Sequence, residues 1–382
     1  MSYRVSELGK ELLPEVERFC QREVSPFSMA WDKGEEEPEA ARMTLRALGY
    51  QTLSIPAAFG GPGLAPLDTA ALWEKIAEAD AGLGVMLTAN ATAFAALLYG
   101  GTGAQIRFGA QILLKGGLGA FSLTESEAGS DVRRLAAKAQ VQADGSFVLN
   151  GTKLFVTNGS SASFYCIAAC IEGQSEPSLF VVERGTKGLV PGPQEAKLGI
   201  RSCDTCSLSL DHCHVGSGAL LGGPEGAGKG MQVLKRALNE GRLWTAVMAV
   251  GVGERALAEA LAYVKERRQF GQPLADFQAV RFRLARMKTR LEAARQLNAH
   301  GLALMEEGKD ISEVSAMAKD FAASTAVRAA GEAFDLFGAY AYTENYAIGK
   351  ILRDARVFPI IEGTAEMQQA QIAAQILGKT KR

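Results

Sequence analysis

The hydrophobic period of this 382-residue chain changes twice, and that switch constrains its fold more than any single motif. At the start, Val5, Leu8, Leu12, Val16 and Phe19 recur every three to four positions, the period of an amphipathic helix. The break FGGPGLAP at 59–66 follows, and Pro66 and Asp68 suit a new helix start. From about 118 to 225 the pattern becomes short β-rich runs, among them SFYCIAACIE and SLSLDHCHV, separated by Gly, Asn, Asp and Pro. Asn150-Gly151 is a hairpin-turn signal within this region. From about 230 the helical period returns in three long stretches of bundle length. The expectation is an α+β multidomain fold. A helical domain spans 1–117, a middle β-domain 118–229 and a C-terminal four-helix bundle 230–382.

Several function classes fall away on composition and spacing. The formal net charge is −1, so there is no basic footprint for nucleic acid. The uncharged run Ala81–Ile106 contains glycines, Asn90 and threonines, and reads as a buried helix rather than a membrane span. The polar-periodic N-terminus does not read as a signal peptide, so a cytoplasmic enzyme is expected, and disulfides are not. Cys203 and Cys206 have the spacing of a zinc pair, but His212, Cys213 and His214 crowd too tightly to complete a tetrahedron. No metal is expected. GGPEGAGKG at 222–230 imitates a phosphate loop but has Gly230 where a magnesium-binding hydroxyl is needed. No GxGxxG joins a strand to a helix, which disfavours a Rossmann unit.

Six segments then act together: FSLTESEAGSDV (121–132), GTKLFVTNG (151–159), KLGIRS (197–202), RRQFG (267–271), RDAR (353–356) and IEGT (361–364). Their order and gaps resemble the acyl-CoA dehydrogenase family, and the resemblance covers essentially the whole chain. It implies an FAD-dependent enzyme that removes two hydrogens from an acyl-CoA thioester. The chemistry is demanding. The α proton is weakly acidic and needs a positioned base, and the β hydrogen leaves as hydride, which no side chain accepts.

By the same resemblance, Glu362 is the base. Thr124 would meet the flavin pyrimidine edge, Ser130 the pyrophosphate, and Thr157 the region of N5. Phe155 stands where the family often has Trp and would cover the ring without an indole donor. Arg267, with Gln269 assisting, would reach the pyrophosphate of a neighbouring subunit's FAD, Phe270 would lie toward the adenine, and Thr364 would add a contact. Asp276 suits a cap for the next helix.

Part of the family takes its base from the position before the Arg that matches Arg242. Here that position is Gly241, and Glu240 lies one residue too early. Arg242 is expected to order the pocket. Gly84 stands where glutaryl-type members carry an anchoring Arg, so a dicarboxylic substrate lacks that anchor. Three positions depart from the pattern. Asp335 replaces a Gln, and Ala339 and Ala341 replace glycines. A carboxylate there would repel a pyrophosphate unless paired or turned away. Expected partners are the acyl-CoA, an electron-transferring flavoprotein, and copies of the chain in a homotetramer or a dimer. Three alternatives stay open: acyl groups on a carrier protein, enoyl-thioester reduction or elimination, and a flavin-less binding or scaffold relative.

Overall fold

The computed structural model describes residues 5–378. Six helices come first: α1 (Glu7–Phe19), α2 (Ser28–Lys33), α3 (Glu39–Ala47), α4 (Pro66–Ala79), α5 (Ala81–Gly100) and α6 (Gly103–Leu114). Seven strands follow: β1 (Gly119–Ser122), β2 (Lys138–Val141), β3 (Phe147–Thr157), β4 (Phe164–Ile171), β5 (Ser178–Glu183), β6 (Leu189–Gln194) and β7 (Thr205–Val215). Helix α7 (Gly230–Glu266) runs into a two-stranded hairpin, β8 (Arg268–Gln269) and β9 (Gln272–Pro273). Helices α8 (Gln278–Glu306), α9 (Ser312–Phe337), α10 (Ile348–Ala355) and α11 (Ala365–Leu377) complete the chain. The α+β order read from the sequence is therefore the observed one.

The sheet is built around β4, whose eight residues are all buried. Strands β1 and β2 run parallel to β4 and share one of its edges end to end, while β5 takes the other edge antiparallel. The sheet continues from β2 through β3 and β7 to β6 by antiparallel pairing. Asn150-Gly151 is not the hairpin turn. It lies inside β3, where the Asn150 side chain accepts from the His212 backbone N–H at 2.9 Å and the β3–β7 register shifts. Gly151 has φ +147°, and a Cβ there would stand 2.8 Å from Ala137 Cβ. Asp144-Gly145 makes the turn instead, with Gly145 at φ +81° and Asp144 Oδ1 accepting from Ser146 N at 2.9 Å.

The uncharged run divides. Helix α5 ends at Gly100, and Thr102 starts α6 with a reciprocal capping box to Gln105. Helix α5 is long and apolar enough to cross a membrane, but 89% of that stretch is buried inside the protein, as a core helix requires. Pro66 opens α4 at its first position. Asp276 does not cap α8. Phe277 holds the cap position without a side-chain bond, because a 3-10 turn over Leu274–Asp276 intervenes.

One buried cluster ties the three regions together. Asp80 caps α5, its Oδ1 accepting from Gly82 N at 3.0 Å and Leu83 N at 3.2 Å. It also accepts from Ser202 Oγ, and its Oδ2 takes Ser28 Oγ at 2.6 Å and Lys350 Nζ at 3.0 Å. Lys350 Nζ pairs in turn with Asp354 Oδ2 at 2.6 Å, and Asp354 Oδ1 receives the Ile200 backbone N–H at 2.6 Å. Arg353 pairs with Asp32. Burial alone would push Asp80 up, but Lys350 and the two serine hydroxyls outweigh it and hold the carboxyl below its ordinary range. Removing the shared cation strands two buried carboxylates. Lys350→Met is expected to cost about 3–5 kcal/mol of unfolding free energy in a denaturant titration. Wild-type stability in that variant would contradict the keystone role.

Candidate active site

Glu362 lies in the turn between α10 and α11, in a left-handed conformation with φ +55°, followed by Gly363 at φ +94°. A non-glycine residue there is strained unless its surroundings fix it. The surroundings do so through the two carbonyls. Arg242 Nε donates to Glu362 O at 3.3 Å, and Gln368 Nε2 donates to Glu362 O at 3.2 Å and Gly363 O at 2.9 Å. Lys319 Nζ donates to Gly363 O at 2.6 Å. Arg242 is itself fixed by Asn239 Oδ1 at 2.8 Å and Gln371 Oε1 at 2.7 Å. Thr364 caps α11 by accepting from Met367 N at 3.4 Å.

The strained turn aims the carboxylate at the seam between α5 and α7. Thr92 Oγ1 on α5 reaches Glu362 Oε1 at 3.4 Å. Oε2 is buried and has no hydrogen-bond partner. Gly241 makes room for it, since a Cβ there would stand 2.8 Å from Oε2 and 2.6 Å from Thr92 Oγ1. Burial pushes the Glu362 carboxyl up to about 7, against the opposing pull of Arg242, Thr92 and Lys319. Glu240 points elsewhere. Its carboxylate is buried against Tyr99 Oη at 2.8 Å and Trp244 Nε1 at 3.2 Å. Further down the seam, a Cβ on Gly84 would lie 2.8 Å from Met248 Sδ, which leaves no path for a long side chain without repacking.

A second group stands at the ends of β1 and β3. Leu154 N donates to Thr124 O at 2.8 Å, joining the two segments. A β-bulge between Lys153 and Val156 turns Phe155 to φ +53° and leaves the residue 64% exposed. Bulges of this kind re-aim a side chain. Thr124 and Thr157 flank it, both half-buried, while Ser130 is exposed on the following loop. Among the described residues, no protein group hydrogen-bonds any of these three hydroxyls, and the neighbouring Ser122 Oγ is buried without a partner. Glu125 is structural. It pairs with the buried Lys153 at 2.5 Å and accepts from Ala136 N at 2.6 Å.

Helix α5 relates the two groups. Asn158, next to Thr157, donates to Met86 O at 3.1 Å, and Asn90 Oδ1 accepts from Gly119 N at 2.8 Å. Met86 and Thr92 are six residues apart, or about 9 Å along the helix.

Arg267, Gln269 and Phe270 do not join them. Arg267 follows the last residue of α7, 25 positions beyond Arg242, which is about 37 Å of helix. Its guanidinium sits 5.3 Å from the Tyr340 ring centroid. Gln269 is exposed and donates to the Arg268 carbonyl at 2.7 Å, and Phe270 is 94% exposed. Asp335 is exposed and faces Arg283 at 3.7 Å, so its charge is both paired and turned outward.

Thr92, Lys319 and Gln368 were not singled out by the sequence. Lys319 carried a readable signal, a lone Lys among small residues on the buried face of a helix, with Ala316, Ala322 and Ala323 around it. All six cysteines are buried free thiols, and burial pushes Cys203 up to about 12.

Comparison with known proteins places this arrangement. The N-terminal, middle and C-terminal domain models of acyl-CoA dehydrogenase match residues 6–108, 120–213 and 228–377. An acyl-CoA dehydrogenase of Bacillus subtilis (strain 168) is 34% identical over 370 residues, spanning 96% of this chain and 97% of that protein. A 3-(aryl)acrylate reductase of Clostridium sporogenes (strain ATCC 15579) is 32% identical over 373 residues, spanning 96% and 98%. The structure of butyryl-CoA dehydrogenase from Megasphaera elsdenii matches with a TM-score of 0.94 at 33% identity, covering 99% of this chain and 100% of that one. With all three domains matched in order, this chain belongs to the acyl-CoA dehydrogenase family and is an oxidoreductase.

Proposed function

We propose that this protein dehydrogenates an acyl-CoA between its α and β carbons, with Glu362 taking the α proton and FAD bound beside it. The observation that carries this reading is the buried, unpartnered Oε2 of Glu362, held on a strained turn against the missing side chain of Gly241. An ionised carboxylate with an unengaged oxygen is what proton abstraction at carbon needs. A carboxyl near 7 is basic enough to take the proton and acidic enough to release it later.

The residues of the second group fit a flavin. Phe155 is exposed, and the nearby Thr124 and Thr157 offer hydroxyls without a partner among the described residues. FAD, when bound, supplies the hydride acceptor that side chains lack. Ser130 and Thr364 are assigned to its polar edge. Arg267, Gln269 and Phe270 lie beyond the far end of α7, too distant to serve the same chain's site. We assign them to the cofactor of a second copy, which makes the working unit a homotetramer or a dimer. Arg suits a pyrophosphate because its charged donors form a rigid fork. Gly84 leaves a dicarboxylic acyl group without its anchor. An electron-transferring flavoprotein is the proposed electron acceptor, and the cytoplasm the proposed location.

A second reading is enoyl-thioester reduction. The Clostridium sporogenes relative is named a reductase, and a carboxyl near 7 can return a proton to the α carbon as readily as remove it.

Glu362→Gln is expected to lower kcat by roughly 10²–10⁴-fold while the flavin spectrum persists. A rate within threefold of wild type would remove Glu362 from the chemistry. The wild-type kcat/KM should fall as pH drops through about 7, because protonation disables the base. Arg267→Ala should leave monomer folding intact but lose flavin absorbance on gel filtration. Full retention of flavin would argue against a role in holding it.

A further inference from the structure

Lys319 places a charge where the proposed reaction has no evident use for one. It lies on α9 and is wholly buried. Its ammonium donates to the Gly363 carbonyl at 2.6 Å, and among the described residues it makes no carboxylate ion pair. A buried ammonium without a direct counter-ion is costly. Satisfying the carbonyl does not account for it, because Gln368 Nε2 already donates to the same oxygen at 2.9 Å.

What Lys319 adds is positive charge behind the strained turn. The charged groups around it are Glu362 in the turn, Arg242 on α7, Glu366 on α11 and Asp320 on its own helix. Burial pushes Lys319 down to about 8, with Glu362 the strongest of the charges that resist this. Lys319 also opposes the rise of Glu362. Each charge thus opposes the neutralisation of the other, while the Lys319 ammonium also bonds the main chain of the strained turn.

We propose that Lys319 is a positioning residue for Glu362: its ammonium locks the left-handed Glu362-Gly363 turn through the Gly363 carbonyl and sets a positive charge behind the carboxylate that takes the proton. This rests on the reading of Glu362 as the base.

The test uses flavin-loaded Lys319→Met and Lys319→Gln proteins, with Glu362→Gln as the reference. The substrate is whichever of butyryl-, octanoyl- or 3-phenylpropionyl-CoA bleaches wild-type flavin fastest. Met matches the length of Lys and removes a costly buried charge, which offsets the lost Gly363 bond, so Tm should stay near that of wild type. In Lys319→Met, kcat should fall at least tenfold with KM changed less than threefold. The acid limb of kcat/KM should move to higher pH by up to about one unit, since a lost cation makes the carboxylate harder to ionise. Lys319→Gln keeps a donor but no charge, so it should show the same pH shift with a smaller loss of kcat. An acid limb at its wild-type pH in both variants would overturn the inference. So would a rate loss that simply tracks a fall in Tm. If Glu362→Gln is inactive while both Lys319 variants behave as wild type, the Lys319 inference alone fails. If Glu362→Gln is fully active, or no thioester bleaches the flavin, the base reading itself fails.

Discussion

Asp80 is the residue on which the geometry of this protein depends. A single carboxylate caps the buried helix α5, receives a hydroxyl from α2 and another from the loop before β7, and pairs with Lys350 on α10. It thereby joins the N-terminal helices, the sheet region and the C-terminal bundle at one point. A fully buried ion cluster contributes little net stability relative to a packed apolar one, but it is intolerant of misplacement. That intolerance fixes the register of α5. Everything at the candidate site is then measured from α5: Met86 and Asn90 set the ends of the strands, and Thr92 meets Glu362.

The Glu362 turn repeats this logic on a smaller scale. Its strain is held by three long side chains from three helices, Arg242, Lys319 and Gln368, all bonded to backbone carbonyls rather than to the carboxylate. The clamps grip the main chain and leave one carboxylate oxygen without a partner. A carboxylate engaged directly by Arg242 would be pulled toward its ordinary acidity and lose the character of a base. The absence of a side chain at Gly241 is equally part of the arrangement, because any Cβ there would occupy the space of Oε2.

The period switches exposed the order of helical and strand regions because buried faces must repeat at 3.6 or 2 residues. The motifs were legible too, but their meaning divides on inspection. KLGIRS and RDAR turn out to be two sides of one contact: Gly199 has no room for a Cβ beside Asp354 Oδ1, and Ile200 N bonds that same oxygen. Asn150-Gly151 misled because local turn preference gave way to a bulge set by cross-strand contacts with Ala137 and His212. Thr92 and Lys319 were missed for a different reason. Their partners lie 270 and 44 residues away; nothing local marks Thr92, and the small residues around Lys319 mark its burial but not its partner. Arg267 is the converse case, a motif residue whose proposed task one chain cannot complete.

The proposed site holds a flavin facing an acyl thioester and the Glu362 carboxylate. The most direct measurement is an anaerobic titration of the purified protein with acyl-CoAs, followed through its visible spectrum. An oxidised flavin band that bleaches stoichiometrically with at least one acyl-CoA is the expected result. A protein that takes up no flavin, or whose flavin band is unmoved by every saturated acyl-CoA, would contradict it.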